Sequence, residues 1–391
     1  MKIYLVAGEA SGDALGASLM RGLRHFRPEI AFSGVGGPLM AAEGLASLFP
    51  MDELSVMGLA EILPRYRSLR RRLTQTVEDV LAQAPDALVT IDSPDFTLRV
   101  AAGVRARAQA LRTIHYVAPS VWAWRPGRAG RMARSIDHVL ALLPFEPPYM
   151  RAAGMTCDFV GHPVVSEPRA GAVEAAAFRE THMIGPEQPL ALCLPGSRRG
   201  EVTRLMPIFA EALMQLRDRE PGLRVVVPTT PAMAPLVRMM AARWAEAPLV
   251  VEAAADKRAA FAAADVALAA SGTVSLELAA NAVPMVIGYD MHPLTRMVMK
   301  RLVRVETVTL VNLVSGTRAV PEFLGRDCRP DRMARVLAAL LEDDAARADQ
   351  IAAMDLCMDR LGRGGEAPGL RAARSVLAVL GNGRAERNAA S

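Results

Sequence analysis

The chain lacks the signatures of most hydrolytic and metal chemistries. It has no glycine-rich loop closed by a Walker lysine, no HExxH and no GxSxG. P-loop phosphoryl transfer, zinc peptidase and serine hydrolase chemistry are therefore without their usual residues. Its four cysteines, Cys157, Cys193, Cys328 and Cys357, lie far apart and form no CxxC pair. That argues against a zinc site or a disulfide framework and fits a reducing cytoplasm. Neither a metal nor a cofactor is expected. A long apolar run is also missing: Ala259 to Tyr289 is cut by Asp265, Ser271-Gly272, Glu277 and Asn281-Ala-Val-Pro284, and changes period midway. It reads as strand, loop and helix rather than a membrane span. Met1-Lys2 leads directly into a strand, so no signal peptide is expected.

What is present fits a globular α/β protein. The 391 residues are 51% hydrophobic and 22% charged, enough for two domains with substantial cores. The net charge of +5 is modest but uneven, with Arg65, Arg67, Arg70, Arg71 and Arg72 in one segment. An anionic partner suits such a cluster. Met57, Leu59, Ile62, Leu63, Tyr66 and Leu69 interleave with those arginines. A helix apolar on one side and basic on the other suits an anionic membrane surface, and equally an ordinary solvated helix.

The N-terminal half opens with a buried strand, Ile3 to Val6, a turn from Gly8 to Gly12, and a helix showing Leu15, Leu19, Leu23 and Phe26. The turn carries Glu9, Ser11 and Asp13 at the carboxyl end of the strand, where open α/β sheets bind ligands. Ala87 to Ile91 is a second clear strand, ending at Asp92-Ser-Pro-Asp95. Asp92 is placed to act as a general base, and Asp95 to cap the next helix. After the strand Thr113 to Val117 comes a loop holding Trp122, Trp124 and Arg125. Two tryptophans in one loop suit either a plug that seats it or a pocket wall. His115, inside the strand, reads as a core histidine. His162, between Gly161 and Pro163, is the strongest polar candidate among the six histidines.

The second half restarts after a Pro- and Gly-rich stretch. Its strand Leu190 to Leu194 meets Pro195-Gly-Ser-Arg198 and a helix. Ser197, the helix-start N–H groups and the forked cation of Arg198 suit an anion. Ser271-Gly272-Thr273 opens another helix, with Glu277 one turn on, able to accept from paired sugar hydroxyls. Thr307 to Leu313 reads as the last strand and carries Asn312. The expected division is 1–165, a linker region 166–188, a second domain 189–362, a helix 363–381 that crosses back to the first domain, and a polar tail 382–391. Two βα alternations imply two facing Rossmann-like parallel-sheet domains with a cleft between them.

Several collinear motifs resemble the lipid-A-disaccharide synthase family. They are Ala7-Gly-Glu-Ala-Ser-Gly-Asp13, Ser55-Val-Met-Gly58, Ile91-Asp-Ser-Pro-Asp-Phe96, Ile114-His-Tyr-Val-Ala-Pro-Ser-Val-Trp-Ala-Trp-Arg125, Leu143-Pro-Phe-Glu146, Gly161-His-Pro163, Leu194-Pro-Gly-Ser-Arg198, Ala270-Ser-Gly-Thr273 and Pro284-Met-Val-Ile-Gly-Tyr289. The resemblance implies a GT-B glycosyltransferase fold of family 19. It implies inverting transfer of 2,3-diacylglucosamine from its UDP conjugate to 2,3-diacylglucosamine 1-phosphate (lipid X), without a metal. Asp92 then matches the general base, and Arg198 an arginine needed for activity. Glu277 and Asn312 match donor-site positions; Glu9 and Ser11 match the acceptor-side turn. Two residues depart from the family pattern: Val311 stands for a usual proline, and Asp290 for a usual basic residue.

Under this resemblance the first turn is assigned to the acceptor, because two carboxylates would repel a diphosphate. Glu9, Ser11 and Asp13 are expected to shape a pocket beside Asp92, with Trp122, Trp124, Arg125 and His162 as further binding residues. Ser197, Ser271, Gly272 and Thr273 are expected on the donor side. The segment Val56 to Leu73 is expected to dock on the cytoplasmic face of the inner membrane. Nucleic acid is not an expected partner, and the sequence leaves room for a homodimer. Two other readings remain: a different sugar-nucleotide enzyme, such as a UDP-sugar 2-epimerase or a murein-precursor transferase, and a non-enzymatic protein binding anionic lipid or nucleic acid through its arginines.

Overall fold

Short β-branched runs alternating with amphipathic helices build two parallel sheets, each within its own compact unit. The computed structural model describes residues 1–54, 59–125, 127–291 and 305–389, the side chains of 59–66 and 382–389 excepted. One unit comprises Met1–Ser166 with Gly364–Ser391, the other Glu167–Arg363.

In the first unit the strands are β1 (Lys2–Ala7), β2 (Ala31–Val35), β3 (Ala87–Ile91), β4 (Arg112–Tyr116), β5 (His138–Ala141) and β6 (Thr156–Phe159). All pair in parallel, in the order β2-β1-β3-β4-β5-β6. Every residue of β3 is buried, as a strand covered on both faces requires. Chain direction along the sheet reverses between β1 and β3, so the crevice at their carboxyl ends is the topological switch point. Helices α1 (Ala10–Phe26), α2 (Pro38–Ala42), α3 (Leu59–Gln83), α4 (Pro94–Arg105), α5 (Gly127–Met132) and α6 (Pro147–Ala152) follow the strands. The α1 side chains Leu19 and Leu23 are fully buried in the core cluster, each contributing roughly 2 kcal/mol.

The helix Pro368–Ala389 returns to this unit and packs on α1. Small residues allow the approach: a Cβ on Gly22 would collide with the Gly369 carbonyl. A polar latch adds to it. Ser375 Oγ donates to Asp158 Oδ2 at 2.7 Å and lies 2.8 Å from His138 Nε2, while His138 Nδ1 meets Thr156 Oγ1 at 2.7 Å. The helix runs beyond residue 381, where a polar tail was expected, because Arg384, Ala385 and Glu386 are good helix formers.

In the second unit α7 (Ala172–Thr181) precedes β7 (Leu190–Leu194), α8 (Arg199–Arg217), β8 (Arg224–Pro228), α9 (Ala234–Ala241), β9 (Leu249–Val251), α10 (Ala254–Ala263), β10 (Val266–Ala269), α11 (Val274–Ala280), β11 (Met285–Tyr289) and β12 (Glu322–Leu324). The sheet is again parallel, ordered β12-β11-β10-β7-β8-β9, with its switch point between β7 and β10. The expected strand Thr307 to Leu313 is instead a helix, Leu310–Ser315, and the sheet ends in β12. Its β-branched residues misled, because tertiary bonds override propensity there. Buried Asn312 donates to the Val320 carbonyl at 2.9 Å and accepts from the Val320 N–H at 3.0 Å. Gly316 then closes the helix with φ +69.

Candidate functional site

The switch point of the first sheet brings Asp92 and Ser11 together. β3 ends in two consecutive left-handed residues, Asp92 (φ 49) and Ser93 (φ 42). Each costs about 1–3 kcal/mol, so neighbouring bonds must hold them. The Asp92 N–H donates to Tyr116 O at 2.9 Å. Thr97 Oγ1 donates to the Asp92 carbonyl at 2.6 Å and to the Ser93 carbonyl at 3.1 Å. Gly8 is required opposite, because a Cβ there would lie 2.8 Å from the Ser93 side chain. The result is a half-buried carboxylate on a fixed backbone, with the Ser11 hydroxyl donating to Oδ2 at 3.4 Å. The expected turn from Gly8 to Gly12 is cut short because α1 begins at Ala10: its N-cap residue Glu9 is half-buried, and Ser11, in its first turn, is exposed.

Asp13 does a different task. Its side chain is buried, and its two oxygens accept the N–H groups of Gly37, Leu39 and Met40, each at 2.9 Å. The carboxylate thus caps α2 from a distance and ties the first turn to the Gly36-Gly37-Pro38 turn. Asp95 does not cap α4, whose cap residue Ser93 makes no side-chain cap bond. It is exposed and sits 3.5 Å from Arg128.

The tryptophan loop is seated by a carboxylate. Trp122 is half-buried, packs edge-on against Phe145 at 5.1 Å, and donates Nε1–H to Glu146 Oε1 at 3.4 Å. Glu146 Oε2 accepts from Leu143 N at 2.9 Å. Burial pushes the Glu146 carboxyl up to about 7 against these bonds. Trp124 lies under the Arg125 guanidinium at 4.5 Å, and Arg125 is exposed with φ 50. His162 Nδ1 accepts from Val164 N at 3.2 Å, and burial lowers its pKa to about 4, so the ring is neutral and its proton sits on Nε2. His115 is a core residue, with Nδ1 at 2.8 Å from Thr90 Oγ1 and a pKa lowered by burial to about 3.

The switch point of the second sheet forms a cavity of about 380 Å³ lined by Ser197, Arg198, Ser271, Gly272, Thr273 and Glu277, among others. All but Glu277, which stands on α11, come from two loops, one after β7 and one after β10. Gly196 makes the first turn possible with φ +105. Arg198 Nη1 lies 3.4 Å from Glu201 Oε1, which also accepts from Tyr289 OH at 3.5 Å. Ser271 Oγ donates to the Val308 carbonyl at 3.4 Å. Lys257 Nζ pairs with Glu277 Oε2 at 2.5 Å. Two cations, several hydroxyls and backbone N–H groups around a concave site suit a polyanionic ligand with hydroxyl groups. No group of metal-ligating side chains stands among the described residues.

Other sequence candidates lie elsewhere. Asn312 is buried and its amide is engaged with Val320, so it supports the backbone beside Ser271. Asp290 is 3.6 Å from Arg204. Of the basic segment, Met57 lies outside the described residues, as do the side chains of Leu59, Ile62, Leu63, Arg65 and Tyr66. Arg67 and Arg70 are exposed on α3 and Leu69 is half-buried. No helix among the described residues is long and apolar enough to cross a membrane. Sequence reasoning missed Lys257, Glu201 and the role of Glu146. Lys257 carried one signal, since only Lys2 and Lys300 join it among the 46 basic residues.

Solved structures with the same architecture include a UDP-GlcNAc 2-epimerase from Neisseria meningitidis bound to UDP-GlcNAc, with TM-score 0.65, 11% identity, and coverage of 97% of this chain and 99% of that one. A putative UDP-N-acetylglucosamine 2-epimerase from Listeria monocytogenes matches with TM-score 0.65 at 14% identity, over 96% of this chain and 94% of that one. Two six-stranded parallel Rossmann-like domains of this kind define the GT-B fold class. The family model for lipid-A-disaccharide synthetase matches residues 3–365. A lipid-A-disaccharide synthase from Ruegeria pomeroyi is 58% identical, covering 96% of this chain and 95% of its own length. One from Rhodospirillum centenum is 49% identical, covering 97% and 94%. The chain belongs to the lipid-A-disaccharide synthase family, glycosyltransferases of lipid A biosynthesis.

Proposed function

We propose that this enzyme transfers 2,3-diacylglucosamine from its UDP conjugate to the 6-hydroxyl of lipid X. The products are the β-1,6-linked disaccharide 1-phosphate and UDP. The second unit holds the donor. The observation that carries this is the cavity at the second switch point, where Ser197, Arg198, Ser271, Thr273 and Glu277 converge. The Neisseria structure with UDP-GlcNAc, on the same fold, supports a nucleotide-sugar donor. Glu277 accepts the ribose hydroxyls; Arg198 and the Ser271–Thr273 turn face the diphosphate.

The first unit activates the acceptor. Asp92 takes the proton of the 6-hydroxyl as the oxygen attacks C1 of the donor. The C1–O bond to UDP breaks with inversion, and its electron pair leaves on the diphosphate, where Arg198 stabilises the charge. The left-handed backbone and the Ser11 bond fix Asp92 before substrate arrives. Glu9, the tryptophan loop and His162, a neutral donor through Nε2, shape the acceptor side. The exposed Arg67 and Arg70 of α3 bring the enzyme to the anionic inner leaflet, where both acylated substrates reside.

Incubation with UDP-2,3-diacylglucosamine and lipid X, followed by mass analysis, tests the reading. The disaccharide phosphate is the expected product, and its absence overturns the proposal. Consumption of free UDP-GlcNAc in the same assay would mark an epimerase instead.

A further inference from the structure

The donor cavity contains a cation that no motif pointed to. Lys257 projects from α10 and lines the same cavity as Glu277 of α11. Its ammonium is 2.5 Å from Glu277 Oε2 and 5.4 Å from the centroid of Phe261, so the ion pair rests on an aromatic face. A third group stands near the pair. The Glu167 carboxyl is pushed up by burial and by the charge on Glu277, and drawn back down by Lys257.

The choice of residue matters. This chain places arginine at almost every basic position and has lysine only at residues 2, 257 and 300. A guanidinium fork tends to engage both oxygens of a carboxylate, whereas an ammonium is a point charge that can take one. Lysine at 257 therefore leaves Glu277 an acceptor oxygen for a ligand. Without the Lys257 bond, the Glu277 side chain regains rotamer freedom that a ligand would have to remove on binding.

We propose that Lys257 is a positioning residue for nucleotide recognition: its bond to Oε2 holds Glu277 aimed so that the carboxylate accepts both hydroxyls of a ribose ring. The inference rests on the donor reading above and adds the device that sets ribose selectivity.

Titration calorimetry on the full chain tests it, with UDP and 2′,3′-dideoxy-UDP as probes. Wild type is expected to prefer UDP by roughly tenfold or more, as expected for a site built to bond hydroxyls. Lys257→Met and Glu277→Gln are each expected to bring that preference close to unity. The double variant is expected to lose little beyond either single one, because the two act as one unit. A Lys257→Met protein that binds both probes more weakly yet keeps the preference would overturn the proposal, since Lys257 would then touch the diphosphate or merely support the fold. Wild-type behaviour of Lys257→Met would overturn it as well, with the donor reading left standing. Failure of the wild type to bind UDP would overturn both.

Discussion

Ser11 and Asp92, 81 residues apart in the chain, are joined by a hydrogen bond of 3.4 Å from Ser11 Oγ to Asp92 Oδ2. The bond links the first turn of α1 to the turn after β3, across the switch point of the first sheet. Asp92→Asn keeps the shape and removes the basicity. Transfer of the diacylglucosamine unit is expected to fall by about 10²–10⁴-fold, the usual worth of a general base. Circular dichroism and the melting temperature are expected to stay near wild type. Retention of full activity would remove Asp92 from the mechanism.

Asp13 stands in the first helical turn of α1, as Ser11 does, yet its effect is expected on stability. Asp13→Ala would leave the N–H groups of Gly37, Leu39 and Met40 without their acceptor inside a buried site. A loss of about 2–4 kcal/mol is expected in urea unfolding, since the lost bonds go to a charged acceptor. UDP binding, proposed above for the other unit, is expected to be unchanged in the folded protein.

Glu146 predicts a pH dependence. Its carboxyl titrates near 7 in the folded protein, against an ordinary value near 4.5. Between these values the folded state holds a proton that the unfolded state has lost. The contribution to stability is therefore full below the ordinary value, declines as pH rises, and is lost once pH passes about 7. Glu146→Gln cannot ionise and escapes the decline. Its stability relative to wild type is expected to be higher at pH 8 than at pH 5, by up to roughly 3 kcal/mol. Denaturant midpoints at the two pH values check this. Tryptophan fluorescence follows the seating of Trp122.

Gly22→Ala tests the packing of the last helix. On an isolated helix the change would stabilise by about 1 kcal/mol. Here the added Cβ meets the Gly369 carbonyl and forces the helix Pro368–Ala389 away from α1. The melting temperature is expected to fall instead, and faster proteolysis at the C-terminus is expected with it.

The parallel-sheet architecture and most strands were legible because buried strands are short, apolar and bounded by turn residues. The placement of Asp92 and of the Ser271–Thr273 turn was legible because they follow strands at places where the chain reverses across the sheet. The segment Thr307 to Leu313 was not, because Asn312 chooses its conformation through bonds to Val320, which no local pattern reveals. Asp13 resembled its neighbours Glu9 and Ser11 by position, yet the structure turns it inward to α2. Lys257 and Glu201 escaped notice because they belong to no strand end and become neighbours of the cavity only through folding.

The return of Pro368–Ala389 to α1, sealed by Ser375 against His138 and Asp158, bears on biosynthesis. The first sheet emerges early from the ribosome, but one of its covering helices is made only after the whole second unit. The second unit, contiguous from Glu167 to Arg363, has all its strands before that helix exists. The first unit therefore begins folding before the second and finishes after it. While the second unit is being made, the first carries an apolar α1 face awaiting the helix Pro368–Ala389, the stage at which chaperones would find it.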